Sequence, residues 1–200
     1  SSMSSFTFTN NGVYEHSSST LTVNGSSVWN ENGTSLTIGN TVPITDIVVS
    51  SATLEFRNQT ATNTASFNSL TVNSGGLVRH AINGTTPTSM LNLEAGSLTI
   101  AAGGAIDVTG LGYPGVAGGN GNGPGGGTTT CCSSSSGGTH GGVGSPRSGF
   151  LTAYNTNTYG SISQPTSFGS SPGAGSGTST TGGGVIRLLV HGALVNNGSI

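Results

Sequence analysis

Leu70-Thr71-Val72-Asn73-Ser74-Gly75-Gly76 is echoed further along the chain by Leu98-Thr99-Ile100-Ala101-Ala102-Gly103-Gly104. Each stretch is an alternating apolar–polar triplet closed by a pair of glycines. Alternation with period two puts Leu and Val or Ile on one face of an extended strand and Thr on the other. Thr, Val and Ile are β-branched and stiff at χ1, which suits a pleated, half-buried surface. Paired Gly supplies the turn and lets backbones approach closely. The same triplet begins at Leu21 and at Leu36, and Phe6-Thr7-Phe8-Thr9 alternates likewise. The starts lie roughly 15 to 34 residues apart, the range of solenoid coils with variable loops. Asn24-Gly25, Asn32-Gly33, Gly39-Asn40 and Asn83-Gly84 are further turn signals. No apolar period of 3.6 outlasts a single turn, so no helix is expected.

The pattern predicts an all-β fold, a parallel β-helix (solenoid) carrying one long Gly-rich insertion. Leu21, Val23, Leu36, Ile38, Leu70, Val72, Leu98 and Ile100 are expected to stack in parallel and point inward. The alternative is a β-sandwich, which also has short strands with regular turns. The solenoid is favoured because its coils need few inward apolar residues, and a sandwich of this length usually holds more aromatic core than 6%.

Charge excludes several functions. The 200 residues carry four Arg, no Lys and six acids, a formal net charge of −2. Such a chain cannot build the basic surface that neutralises phosphates, so no nucleic-acid partner is expected. Without Lys there is neither a P-loop nor a Schiff-base catalyst. No apolar run is long enough for a membrane-spanning helix, and no membrane insertion is expected. Disordered chains are usually charged; this one is not, and its apolar residues cluster in bursts.

Around Gly110 the character changes. Residues 1–109 read as β-helix coils, 110–184 as a Gly/Ser/Thr-rich insertion packed on the solenoid, and 185–200 as returning strands, one domain overall. Within the insertion, Tyr113, His140, Phe150, Tyr159 and Phe168 are expected to act as anchors, since a plain linker needs no aromatic residues. A low-complexity linker is the competing reading. Closely packed extended Gly segments, of polyproline-II type, are one form an ordered insertion can take.

Four blocks occur in order: Gly110-Leu111-Gly112-Tyr113-Pro114-Gly115, then Thr139-His140-Gly141-Gly142-Val143-Gly144, then Tyr159-Gly160-Ser161 through Phe168-Gly169, then Gly182-Gly183-Gly184-Val185-Ile186-Arg187-Leu188 with Gly192 to Ile200 behind it. This half of the chain resembles the Gly-rich parallel β-helix modules of large secreted or cell-surface proteins of bacteria and microbial eukaryotes. The resemblance implies architecture and location and carries over no catalytic residue. In composition alone, the insertion is also similar to the glycine-rich ectodomain of certain receptor tyrosine kinases.

Gly110 to Gly115 satisfies G-x-G-x-x-G after a strand-like run, but the dinucleotide reading needs a helix to follow, and Gly119 to Gly127 cannot form one. Gly169-Ser170-Ser171-Pro172-Gly173 fits G-x-S-x-G without the flanking strand and helix of a nucleophile elbow. Glycoside hydrolysis needs paired carboxylates, and Asp46 and Asp107 each stand among neutral neighbours. His16, His80, His140 and His191 lack ligand spacing. No catalytic residue, metal or cofactor is therefore expected.

Cys131 and Cys132 are adjacent and are expected to be oxidised outside the cell, within a strained vicinal ring or to other chains, with free thiols as the alternative. Asn24, Asn32, Asn58, Asn83 and Asn197 begin N-x-[S/T] sequons, about as many as chance supplies in so Asn- and Ser/Thr-rich a chain. They are N-glycosylation candidates where the secretory route glycosylates, and turns otherwise.

The expected function is an extracellular or cell-surface structural β-solenoid, assembling end to end with copies of itself or sister modules into a fibre, filament or surface layer. An adhesin-type carbohydrate-binding module, with glycans as partners, is the alternative. A polysaccharide-active β-helix enzyme is the minority reading. The assembly expectation rests on terminal sequences that read as uncapped strands, Phe6-Thr7-Phe8 at one side and Leu194 to Ile200 at the other.

Overall fold

The computed structural model describes residues 5–8, 14–17, 20–23, 27–30, 36–38, 42–44, 46–57, 59–62, 64–130, 134–145, 155–161 and 163–200, with side chains from Asp46 onward apart from Thr130 and Ser134. Cys131, Cys132, Phe150, Asn24, Asn32 and Asn58 lie outside the described residues or side chains. The protein is all-β, with parallel sheets and no helix among the described residues. The strands are β1 (Ser5–Phe8), β2 (Tyr14–Ser17), β3 (Thr20–Val23), β4 (Ser27–Asn30), β5 (Leu36–Ile38) and β6 (Val42–Ile44). There follow β7 (Asp46–Val49), β8 (Thr53–Arg57), β9 (Ala65–Val72), β10 (Leu77–His80), β11 (Leu91–Ile100) and β12 (Ala105–Ile106). The last are β13 (Ala117–Gly119), β14 (Thr129–Thr130), β15 (Ser134–Ser135), β16 (Ala174–Thr178), β17 (Ile186–Val190) and β18 (Leu194–Asn196).

The chain divides into two compact units. The first runs from the amino-terminal strands to Ala81 and includes Ser89–Asp107 and Ile186–Ile200; the second is Ile82–Thr88 with Val108–Val185. The second unit thus takes in Ile82–Thr88 in addition to the Gly-rich stretch, because Asn83 Nδ2 donates to Leu111 O at 2.9 Å.

In the first unit the strands from β7 to β12 alternate between two sheets. One sheet has the order β17-β11-β9-β7-β3-β2, with β18 also on β11; the other has the order β1-β4-β8-β10-β12. Every pairing from β7 to β12 is parallel, and the register matches apolar to apolar. Leu21 lies beside Ile47, Ile47 beside Leu70, Leu70 beside Leu98 and Leu98 beside Leu194. Side chains at Ile47, Leu70, Val72, Leu98 and Ile100 are buried, as alternation requires. On the other sheet Leu54, Phe56, Val78 and Ile106 are also fully buried. Each such side chain contributes on the order of 1.5–3 kcal/mol.

The glycine pairs turn the chain at equivalent places. Gly76 N donates to Asn73 O at 2.9 Å and Gly104 N to Ala101 O at 2.9 Å, while Gly75 and Gly103 take φ of 70° and 81°. This is the left-handed region that only Gly enters without strain, so the repeated Gly-Gly is a conformational requirement of the corner.

Three strands depart from the expected parallel stack. Leu36-Thr37-Ile38 pairs antiparallel with β6, Leu36 opposite Ile44, and is no part of the parallel ladder. Phe6-Thr7-Phe8 runs antiparallel to β4, and β2 antiparallel to β3. Among the described residues, the outer strands on that side of the two sheets, β1 and β2, are therefore antiparallel to their neighbours. Alternation tells which residues share a face and is silent on strand direction. The short step from Ile38 to Val42 admits an antiparallel hairpin, whereas a parallel return needs a crossover of about a dozen residues.

The described residues of the second unit form short strands: β13 pairs antiparallel with β16, and β14 with β15. Most of its order comes from extended glycine segments bonded to several neighbours through the backbone. Gly112 N donates to Gly182 O, Gly182 N to Tyr113 O, Gly169 N to Gly183 O and Gly127 N to Ser171 O, all at 2.8–3.0 Å. Its buried polar residues include Ser136, Thr139, Asn155, Ser170 and Ser171. Hydroxyls and backbone amides do here what apolar side chains do in the first unit.

Candidate functional site

Sheet register gathers charges that are scattered in sequence. On β8 and β10, Glu55 lies beside Arg79 in parallel register. Arg79 Nη2 reaches Glu55 Oε2 at 2.9 Å, and Arg57 Nε reaches Glu55 Oε1 at 2.9 Å. The carboxylate is almost buried while both guanidinium groups are about half exposed, so each Arg is held in place by a shared anion. Arg79 bonds Glu55 across 24 residues of sequence.

Beneath these, His80 is fully buried on the inner face of β10, and its Nδ1 lies 2.8 Å from Ala81 O. Burial pushes its imidazole below the ordinary value of 6.5, partly opposed by the Ala81 hydrogen bond and the Glu55 charge. The ring is a neutral member of the core.

Asn92 marks a second constellation. Fully buried on β11, it donates through Nδ2 to Thr60 O at 3.1 Å and to Thr64 Oγ1 at 3.0 Å. Gln59 Oε1 accepts from its backbone N–H at 3.2 Å. Close by on β17, Arg187 donates to Asn92 Oδ1, and at the end of that strand His191 Nε2 lies 2.6 Å from Glu94 Oε1. The His191–Glu94 pair joins groups 97 residues apart, which local spacing could not reveal.

In the second unit, the expected anchors Tyr113, His140, Tyr159 and Phe168 have these positions. His140 and Tyr159 meet edge to face with ring centroids 4.9 Å apart. His140 Nε2 lies 2.9 Å from Ser167 O, the Tyr159 hydroxyl donates to Phe168 O, and Ser170 Oγ donates to Tyr159 at 2.8 Å. Burial raises the Tyr159 pKa, with the Ser170 contact opposing. Tyr113 packs against Gly123, where φ is 99°.

The two glycine motifs take part in hydrogen bonding within the second unit. In Gly110 to Gly115 the Gly112 N–H is bonded to Gly182 O, and no helix follows. Ser171, at the centre of G-x-S-x-G, is fully buried and accepts from Asn122 N at 2.8 Å. Of the described sequons, Asn83 is buried, its Nδ2 on Leu111 O and its Oδ1 accepting from Thr88 N, while Asn197 is exposed. Among the described residues no three His, Cys, Asp or Glu side chains gather to hold a metal ion, and no helix is long and apolar enough to cross a membrane.

Among the described residues, several exposed large apolar side chains fall on or next to β17 and β18. Leu189, Leu194, Val195 and Ile200 are all exposed there. Leu194 is 55% exposed, whereas its register neighbour Leu98 is 1% exposed. No protein-family model matches the sequence, and no curated protein or solved structure matches it.

Proposed function

We propose that the protein is an extracellular structural β-solenoid, a building block that stacks end to end into a fibre, filament or surface layer. The alternation of β7 to β12 between two parallel sheets supports a solenoid winding. The observation that carries assembly is the β17–β18 edge. A parallel rung presents unpaired backbone groups and an apolar layer to the next rung, and such an edge invites strand addition. Leu194 occupies the position that Leu70 and Leu98 hold in earlier rungs, yet lacks a covering layer. Low charge weakens repulsion between copies or sister modules. The antiparallel pairing of β1 and β2 makes that side of the stack different from the β17–β18 edge. Composition is the support for an extracellular setting, and the reading assigns no catalytic step.

Sedimentation and electron microscopy of the purified chain test it. Concentration-dependent assemblies are expected, and Leu194→Lys should leave a folded monomer. A wild-type chain that stays monomeric at high concentration would overturn assembly.

A further inference from the structure

The side of β3, β7, β9, β11 and β18 opposite the core carries a regular mesh. Along the ladder, Asp46, Ser69 and Ser97 are register neighbours, and two residues on, Val48, Thr71 and Thr99 are neighbours. The second row continues into Val195 on β18, and the backbone of β3 continues both rows at Thr20 and Thr22. Adjacent strands lie about 4.8 Å apart, and residues two apart along a strand about 6.6 Å. Hydroxyl and γ-methyl groups therefore recur on a two-dimensional grid. The β-branched row is stiff at χ1, and the grid is backed by the buried Ile47, Leu70 and Leu98.

We propose that this face binds ice. The strand repeat is close to the a-axis repeat of hexagonal ice, and methyl and hydroxyl groups fixed at that spacing hold first-shell water in lattice-like positions. Low charge at the centre of the grid favours the same occupant. On β7, β9 and β11 the two rows hold one ionisable group, Asp46, which accepts from Ser69 Oγ at 2.6 Å, and at the margin the register places Glu15 of β2 beside Thr22. Polysaccharide recognition leans on aromatic stacking, and these rows contain no aromatic residue. A dry interface with a second copy would bury Asp46, Ser69, Ser97 and both threonines away from water, at the cost of their hydration. Ice supplies hydrogen bonds to each of them. The inference stands on the parallel ladder and is independent of end-to-end assembly.

The test measures thermal hysteresis, ice recrystallisation inhibition and partition into growing ice with the full chain. Thr71→Tyr breaks the middle of the mesh. Thr53→Tyr places the same ring on the other sheet. Circular dichroism and melting confirm that both variants fold. Hysteresis is expected in the wild type and in Thr53→Tyr, with loss in Thr71→Tyr. Three results overturn the proposal: a folded wild type without hysteresis or recrystallisation inhibition, equal activity in Thr71→Tyr, or retention on crystalline cellulose or chitin without retention in ice. Sedimentation of the same samples reports assembly separately, so failure of either reading is visible on its own.

Discussion

Arg187 Nη1 donates a 2.8 Å hydrogen bond to Asn92 Oδ1 across 95 residues of sequence. The two are parallel register neighbours on β17 and β11. After the whole Gly-rich stretch the chain therefore returns to lie beside β11. Asn92 joins that return to the turn before β9, because its amide also holds Thr60 and Thr64.

Asn92→Ala should therefore destabilise the first unit by about 1–3 kcal/mol, since the part-buried acceptors at Thr60 and Thr64 lose a fully buried donor and Arg187 loses its acceptor. Urea denaturation should show a lower midpoint with an unchanged slope. An unaltered midpoint would mean that water replaces the amide without cost.

His80 gives stability a pH dependence of known sign. Its folded pKa lies below the ordinary 6.5 because of burial. As pH falls below 6.5 the unfolded imidazole takes up a proton that the folded one refuses. Stability should drop from there down to the lowered folded pKa, and no further on account of this group. Melting curves across that window should show the decline, and His80→Gln, which keeps a donor but does not titrate there, should flatten it.

A β-carbon at Gly182 would fall inside the van der Waals surface of Gly169 O, whereas one at Gly142 would meet nothing within 4 Å. Gly182→Ala should cost about 1–3 kcal/mol or more through overpacking, and Gly142→Ala should be nearly neutral. Amide exchange across 108–185 measures the difference. Equal protection in both variants would show that the segment is not held by close backbone packing.

Leu98→Ala should cost about 2–5 kcal/mol in the isolated chain, as expected of a fully buried leucine. Leu194→Ala should cost about 0.5 kcal/mol or less in the monomer, where its side chain is exposed. It should weaken any assembled form much more. Thermal melts of dilute and concentrated samples separate the two contributions.

Much of the ladder was legible in residue order. Leu70, Val72, Leu98 and Ile100 alternate with polar residues, and that alternation alone placed them inside. The Gly75-Gly76 and Gly103-Gly104 turns were equally visible, because few residues other than Gly adopt a positive φ readily. Leu36-Thr37-Ile38 shows where this reading stops: the same triplet lies in an antiparallel hairpin. Its side-chain pattern is compatible with either direction, and the short connection to Val42 decided it.

What the sequence determined by itself was the β character, the inward apolar positions and the glycine corners, since these follow from local sterics and period two. Tertiary structure alone decided which distant residues meet. The Glu55–Arg79, Asn92–Arg187 and Glu94–His191 pairs arise from register between strands, and register depends on the length of every intervening loop. The Ser/Thr/Val mesh has the same origin: each strand contributes at most two of its points, and the grid exists only when the strands lie side by side.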